Sequence, residues 1–304
     1  MPTVDLAQIQ ERLYEDPQVV AKLVADYGVS RPPGDPHELA TALTDAFGQQ
    51  PDSIQVKRTV TNREVFRAAV RAIASNSRPW STFLQYEPTL AELLGDYDPS
   101  ATHGAHAEGR VGLTDLKACL PGQTATADAN AILRWADLLE EVSNYNRCLA
   151  KLEQAFRDMD VEDHELLPVV AGFLGNGPAK VRAESLTPPD SLESWKLPGM
   201  GAVLASEFLR NLRWNGFKPD RHIKRLFGRW FPDVVTACEP RARQLAATIG
   251  SKGKELVEFL TFSLVGVSVT PAGHTFTEVD NLVWALGAYV EKRGKESDTL
   301  YRLG

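Results

Sequence analysis

A single carboxylate, Asp220, lies nineteen residues beyond the second glycine of the turn LPGMG, Leu197–Gly201, within the stretch KLPGMGAVLASEFLRNLRWNGFKPDRHIKRLF. Between positions 196 and 229 the chain gathers eight lysines and arginines against two acids, Glu207 and Asp220, although its formal net charge is −7. A local basic surplus on an acidic chain points to a confined polyanion site. It excludes indiscriminate coating of nucleic acid, whose strength comes from many Lys and Arg neutralising phosphates. Gly199 and Gly201 permit a very tight turn and let backbone amides approach another surface closely. The helix expected from Ala202 opens with unpaired N–H groups and the positive end of its dipole, which suit a phosphate oxygen. Asp220 stands where the next helix starts. It reads either as an N-cap, contributing roughly 1 kcal/mol, or as an anion able to stabilise positive charge in a transition state.

Helices must position these groups. With 304 residues, 43% of them apolar and 24% charged, the chain has the composition of a folded globular protein of one large domain or two lobes. The expected fold class is all-α. Val19, Val20, Leu23, Val24 and Tyr27 recur at helical spacing, as do Leu39, Leu43 and Phe47 after the start signal DPHE at 35–38. TNREVFRAAVRAIASNSRPW sets Phe66, Ala69, Val70 and Ile73 on one face and Arg63, Arg67 and Arg71 on the other. Residues 95–130, rich in Gly, Ala, Thr and Asp, read as a loop-rich insertion. Helical pattern returns over 131–156, and a breaker-rich connection, 175–191, leads to the turn. After it, Leu204, Ala205, Phe208, Leu209 and Leu212 form one buried stripe, with Gly216 as the expected stop. Ile223, Leu226, Phe227, Trp230 and Phe231 form the next. Two further helices are expected over 252–264 and 277–291, the second from a Thr277–Asp280 cap signal, and VGVSVTP at 265–271 alternates like a strand.

Three widely spaced cysteines, Cys119, Cys148 and Cys238, fit idle thiols in a reducing compartment. The first residues, MPTVDLAQIQERLYEDP, hold no apolar run, so a cytoplasmic protein is expected. His103 and His106 form an HxxH with no further Cys or carboxylate pattern to complete a zinc site.

Together the turn and the carboxylate resemble the helix–hairpin–helix DNA glycosylase superfamily, which includes the endonuclease III, MutY and AlkA-like enzymes. The family's signature is a hairpin L-P-G-h-G followed about twenty residues later by D-x-H-h-x-R. Leu197, Pro198, Gly199, Met200 and Gly201 fit the first part, and Asp220, His222, Ile223 and Arg225 the second. The resemblance implies a two-lobed helical glycosylase-like fold spanning 1–304, in which 191–231 is the helix–hairpin–helix and catalytic-Asp segment and the N- and C-terminal helices share a lobe. It makes Asp220 the catalytic carboxylate and gives DNA contacts to Lys196, Gly199, Gly201, Val203, Arg221, His222 and Arg225. Hairpin carbonyls near Leu197 and Met200 would hold a monovalent cation. Asn76 would fill the gap left by an extruded base, with Trp80 and Trp195 near the base pocket.

Bifunctional members carry a lysine where this chain has Val203, so the resemblance is to the monofunctional branch, which uses water. Cysteines are too few for an iron–sulfur cluster, and no cofactor is expected. The implied partner is duplex DNA with a damaged or modified base, met by a nucleoid-associated monomer in base excision repair. Two other readings stay open: a non-catalytic helix–hairpin–helix DNA-binding protein, in which Asp220 only caps, and a base-modifying relative.

Overall fold

The computed structural model describes residues 2–28, 36–52, 59–176, 186, 188, 192, 194–251, 253–292 and 294. Asp35, most of the 175–191 connection, and Ser191 and Glu193 at the start of the 191–231 segment lie outside them. Among the described residues every regular element is helical and none is a strand, which is an all-α fold. Side-chain caps account for many of the helix starts: Asp5, Asp16, Thr61, Asp98, Asn144, Asp220 and Thr275 each accept a bond from an amide in the first turn that they precede.

The chain divides into two compact units. One comprises Met1–Asp52, Leu167–Val169 and Arg213–Gly304. Its helices are α1 (Leu6–Tyr14), α2 (Pro17–Tyr27), α3 (Pro36–Phe47), α12 (Arg221–Trp230), α13 (Pro232–Thr248), α14 (Lys254–Val269) and α15 (Phe276–Ala285), the last continued by a π turn, Leu286–Val290. Leu13, Leu23, Leu43, Phe227, Val265 and Leu282 are fully or almost fully buried in its core. The expected stripe of α12 is that core: Ile223, Leu226, Phe227, Trp230 and Phe231 are all buried.

The other unit comprises Ser53–Leu166 and Val170–Leu212. It contains α4 (Asn62–Ala74), α5 (Trp80–Leu93), α6 (Pro99–Ala107), α7 (Leu113–Cys119), α8 (Ala125–Glu141), α9 (Tyr145–Arg157) and α11 (Ala202–Asn211), with most of α10 (Leu166–Asn176). Trp135 of α8 lies 5.2 Å from Phe208 and 5.7 Å from Tyr145 between ring centroids. The backs of α4 and α11 meet at the side-chain amide of Asn211, which donates to the Ala68 carbonyl at 3.2 Å.

Four expectations are corrected. The 95–130 stretch forms α6, α7 and the start of α8, because Asp98 caps α6 with Pro99 at its first position and the small residues Thr102 and Ala105 are buried where bulky anchors were sought. VGVSVTP continues α14 to Val269: Ser263 and Ser268 donate to carbonyls four residues back, and Val265 and Val269 share a buried face at helical spacing. The last helix is capped by Thr275 with Glu278, two residues before the expected signal. On α4, Arg71 does not face outward but lies half-buried over the Trp80 ring, 5.2 Å from its centroid.

Candidate functional site

The LPGMG turn is built into the second unit from three sides. Pro198 disfavours helical backbone at Leu197, and residues 194–200 are not helical. The Leu197 amide donates instead to the Leu174 carbonyl of α10 at 3.1 Å, while the Trp135 indole donates to the Pro198 carbonyl at 3.2 Å. Gly199 has φ +69°, and a β-carbon there would stand 2.4 Å from Cβ of Ala131. Gly175 of α10 is equally constrained, since its β-carbon would meet the Ala202 amide nitrogen at 2.4 Å. The two glycines of the turn differ in kind. Gly201, exposed and with φ −89°, has an ordinary extended conformation, and a β-carbon there would meet nothing within 4 Å. Packing requires glycine at 199 and not at 201. As the N-cap of α11, Gly201 offers no side chain to the amides of the first turn, and Val203 sits half-exposed in that turn.

Lys196 is occupied. Its ammonium donates to the carbonyls of Gly175 and Met200, and burial holds its pKa below the ordinary lysine value. It therefore ties α10 to the turn. The Met200 carbonyl, expected to hold a monovalent cation, already accepts from this ammonium.

Asp220 belongs to the first unit. α11 stops at Asn211, followed by Arg213 with φ +68°, the left-handed backbone that closes a helix end; Gly216 is not the stop but lies under Leu167, whose Cδ1 would be 2.8 Å from a β-carbon. From there α15 grips the extended chain. The Gly216 amide donates to Thr277 Oγ1 at 3.2 Å, the Lys218 amide to Asp280 Oδ1 at 2.9 Å, and Asn215 Oδ1 accepts from the Thr277 amide at 3.2 Å. Asp220, half-buried, caps α12: its Oδ1 accepts from the amides of His222 at 2.7 Å and Ile223 at 3.2 Å. Oδ2 has no hydrogen-bond partner among the described residues.

The other residues of the second half-motif support α12. His222 packs against Gly287, where a β-carbon would be 2.9 Å from its own, and Arg225 donates to the carbonyls of Gly287 and Glu291 at the π turn. Arg221 is exposed, its Nε 3.4 Å from His222 Nε2. Of the eight cations in the stretch, Lys196 and Arg225 serve carbonyls, Arg210 is 1% exposed and paired with Glu207 at 3.2 Å, Arg213 faces Asp52 at 3.6 Å and Lys224 faces Glu258 at 3.2 Å. Five of the eight thus have partners within the protein, Arg210 in the interior and Arg213 and Lys224 in pairs at the surface.

Asn76 lies in the turn after α4, where its side-chain amide donates to Asp128 Oδ1 at 3.1 Å; Arg78 and Thr124 hold the other oxygen of Asp128 at 2.6 and 2.7 Å. Ser77, exposed with φ +55°, stands at the tip. Trp80 and Trp195 are buried, the latter donating its indole N–H to the Leu186 carbonyl at 2.6 Å. His103 and His106 sit on α6, bonded to Asp137 and to the Val111 carbonyl at 2.7 and 3.0 Å.

No family model, no curated protein and no solved structure matches this chain.

The contrast between the glycines predicts that Gly199→Ala lowers unfolding free energy by about 1–3 kcal/mol, while Gly201→Ala, which meets no packing conflict and loses only a favoured N-cap residue, lowers it by less than about 1 kcal/mol. Urea denaturation of both variants checks this. His222 gives a pH prediction. Burial disfavours its charged form, Arg221 and Arg225 add to that, and Asp220 opposes it, so its pKa in the fold lies below the ordinary value. The unfolded chain takes up this proton near pH ~6.5 while the folded chain still refuses it. The stabilisation is therefore full above that pH and is lost as the pH falls below it. Between pH 7 and pH 5 the urea midpoint should drop further for the wild type than for His222→Gln; equal drops would contradict the assignment.

Proposed function

We propose that this chain is a monofunctional DNA N-glycosylase acting on a damaged or modified base. The observation that carries the reading is the state of Asp220, whose Oδ1 is fixed by two backbone amides and whose Oδ2 is left without a partner among the described residues. A carboxylate held in this way stays oriented while one oxygen remains available, as electrostatic stabilisation of a developing cation requires. Breaking an N-glycosidic bond sends the bonding pair to the departing base and leaves positive charge on the deoxyribose. Asp220 opposes that charge more strongly in the transition state than in the ground state. Water then adds to the sugar carbon and gives its proton to the carboxylate, leaving an abasic site.

The turn supports the same reading. Gly201 is a glycine that packing does not demand, at the start of a helix whose first amides have no side-chain cap, which fits close approach of a phosphate oxygen. Val203, in place of the lysine of the bifunctional enzymes, cannot attack the sugar, so release of the base is not followed by strand cleavage. The target base has to leave the duplex first, at a cost of a few kcal/mol that is lowest for damaged or mispaired bases. With five of the local cations engaged internally, backbone amides and exposed Arg221 carry the proposed phosphate contacts.

The substitution Asp220→Asn separates the roles, because asparagine caps a helix about as well as aspartate but carries no charge. Duplexes containing a panel of lesions and modified pyrimidines are incubated with each protein and abasic sites are cleaved with alkali. Base release should fall on the order of 10²–10³-fold with duplex affinity and stability nearly unchanged. An undiminished rate would rule out Asp220 as the catalytic group. Binding by the wild type with no release from any duplex would favour the non-catalytic reading.

A further inference from the structure

We propose that His37, His274 and Glu278 form a binding site for a zinc-class divalent cation that clips α3 to α15. The two imidazoles come from positions 237 residues apart in sequence, yet their Nδ1 atoms stand 3.1 Å from each other. One donor atom from each of the three residues lies within 4.8 Å of the other two. Donors bound tetrahedrally at roughly 2.0–2.1 Å from one ion sit about 3.3 Å apart, so small side-chain adjustments bring the three onto an ion. Two imidazoles with one carboxylate suit Zn²⁺, Co²⁺ or Ni²⁺ and do not suit the hard, all-oxygen preferences of Ca²⁺ and Mg²⁺.

The carboxylate is already oriented. Thr41 Oγ1 donates to Glu278 Oε1 at 3.0 Å, and Thr275 donates from its amide and hydroxyl to Oε2 at 2.9 and 3.0 Å. Outer contacts of this kind fix metal ligands in place. Glu278 is 4% exposed, and no described lysine or arginine forms an ion pair with it. Burying an ionised carboxylate without a counter-charge is costly, and a divalent ion would offset that cost. His37 is exposed, which leaves water access to a fourth coordination position.

The site has a consequence for Asp220. Thr277, one residue before Glu278, and Asp280, two residues after it, hold the backbone of Gly216 and Lys218. Fixing the first turn of α15 to α3 therefore braces the segment that carries Asp220, independently of whether that residue is catalytic.

The test uses the full chain, freed of metal with a chelator and titrated with Co²⁺ and, in competition, Zn²⁺. The wild type should develop the visible bands of low-coordinate Co²⁺ at one equivalent, lose them to Zn²⁺, and melt at a higher temperature when loaded. His37→Gln, an exposed position, should weaken Co²⁺ binding at least tenfold with the helical circular dichroism unchanged, and His274→Gln should do the same. His106→Gln should leave binding intact. Absence of the bands in the wild type at millimolar Co²⁺, retention of full affinity in His37→Gln, or its loss in His106→Gln would each overturn the proposal.

Discussion

A non-helical stretch of backbone, Trp214–Asp220, has to be accommodated in an otherwise helical unit, and its amides need partners that a regular helix would have supplied. α15 supplies them. Thr277 and Asp280 take the amides of Gly216 and Lys218, and Asn215 returns a bond to the start of α15. Glycine is obligatory where this segment passes: a β-carbon at Gly216 would strike Leu167 at 2.8 Å, and one at Gly266 would lie 2.5 Å from the Phe217 ring. Phe217 and Pro219 are buried as a result, and the chain reaches Asp220 with little freedom left. The direction of the carboxylate thus follows from the hydrogen-bonding needs of buried backbone.

The turn and the carboxylate are secured by separate means. Leu197–Gly201 is fixed by α8 and α10 through Ala131, Trp135, Leu174 and Gly175, with the Lys196 ammonium closing the gap between two carbonyls. Asp220 is fixed by α15 and by the dipole and amides of α12. The division into units falls between Leu212 and Arg213, so the motif is shared across it along the chain. Most of the basic side chains that make this stretch conspicuous are spent on internal pairing, Arg210 with Glu207 most completely. A cluster of charges in sequence is therefore partly consumed by pairing within the protein.

Helical periodicity made much of the fold legible. The stripes of α4 and α12 are buried as their spacing predicts, and that of α11 is buried except for Leu204, which is half-exposed, since each helix presents apolar residues at three- and four-residue intervals. α6 was hidden because it buries Thr102 and Ala105, which carry no bulk to mark a face. The end of α14 was misread because Val265, Val267 and Val269 alternate as in a strand, while Val265 and Val269 also satisfy a helical interval and win by being buried. Among candidate site residues, Asp220 as an N-cap was legible from its place before Arg221–Trp230. The engagement of Lys196, Arg210 and Arg225 was not, because their partners lie in side-chain geometry that spacing does not encode. His37 and His274 meet only through the fold, and no local pattern marks them.

The central claim is that the available oxygen of Asp220 opposes positive charge on a deoxyribose. Its most direct measurement is the affinity for a duplex carrying a cationic pyrrolidine in place of one sugar, relative to the same duplex with a neutral abasic ring. The wild type should prefer the cationic duplex by at least about 10²-fold, as transition-state analogues do, and Asp220→Asn should lose that preference while binding the neutral duplex equally well. Equal affinity of the wild type for the two duplexes, or a preference that survives in Asp220→Asn, would contradict the account.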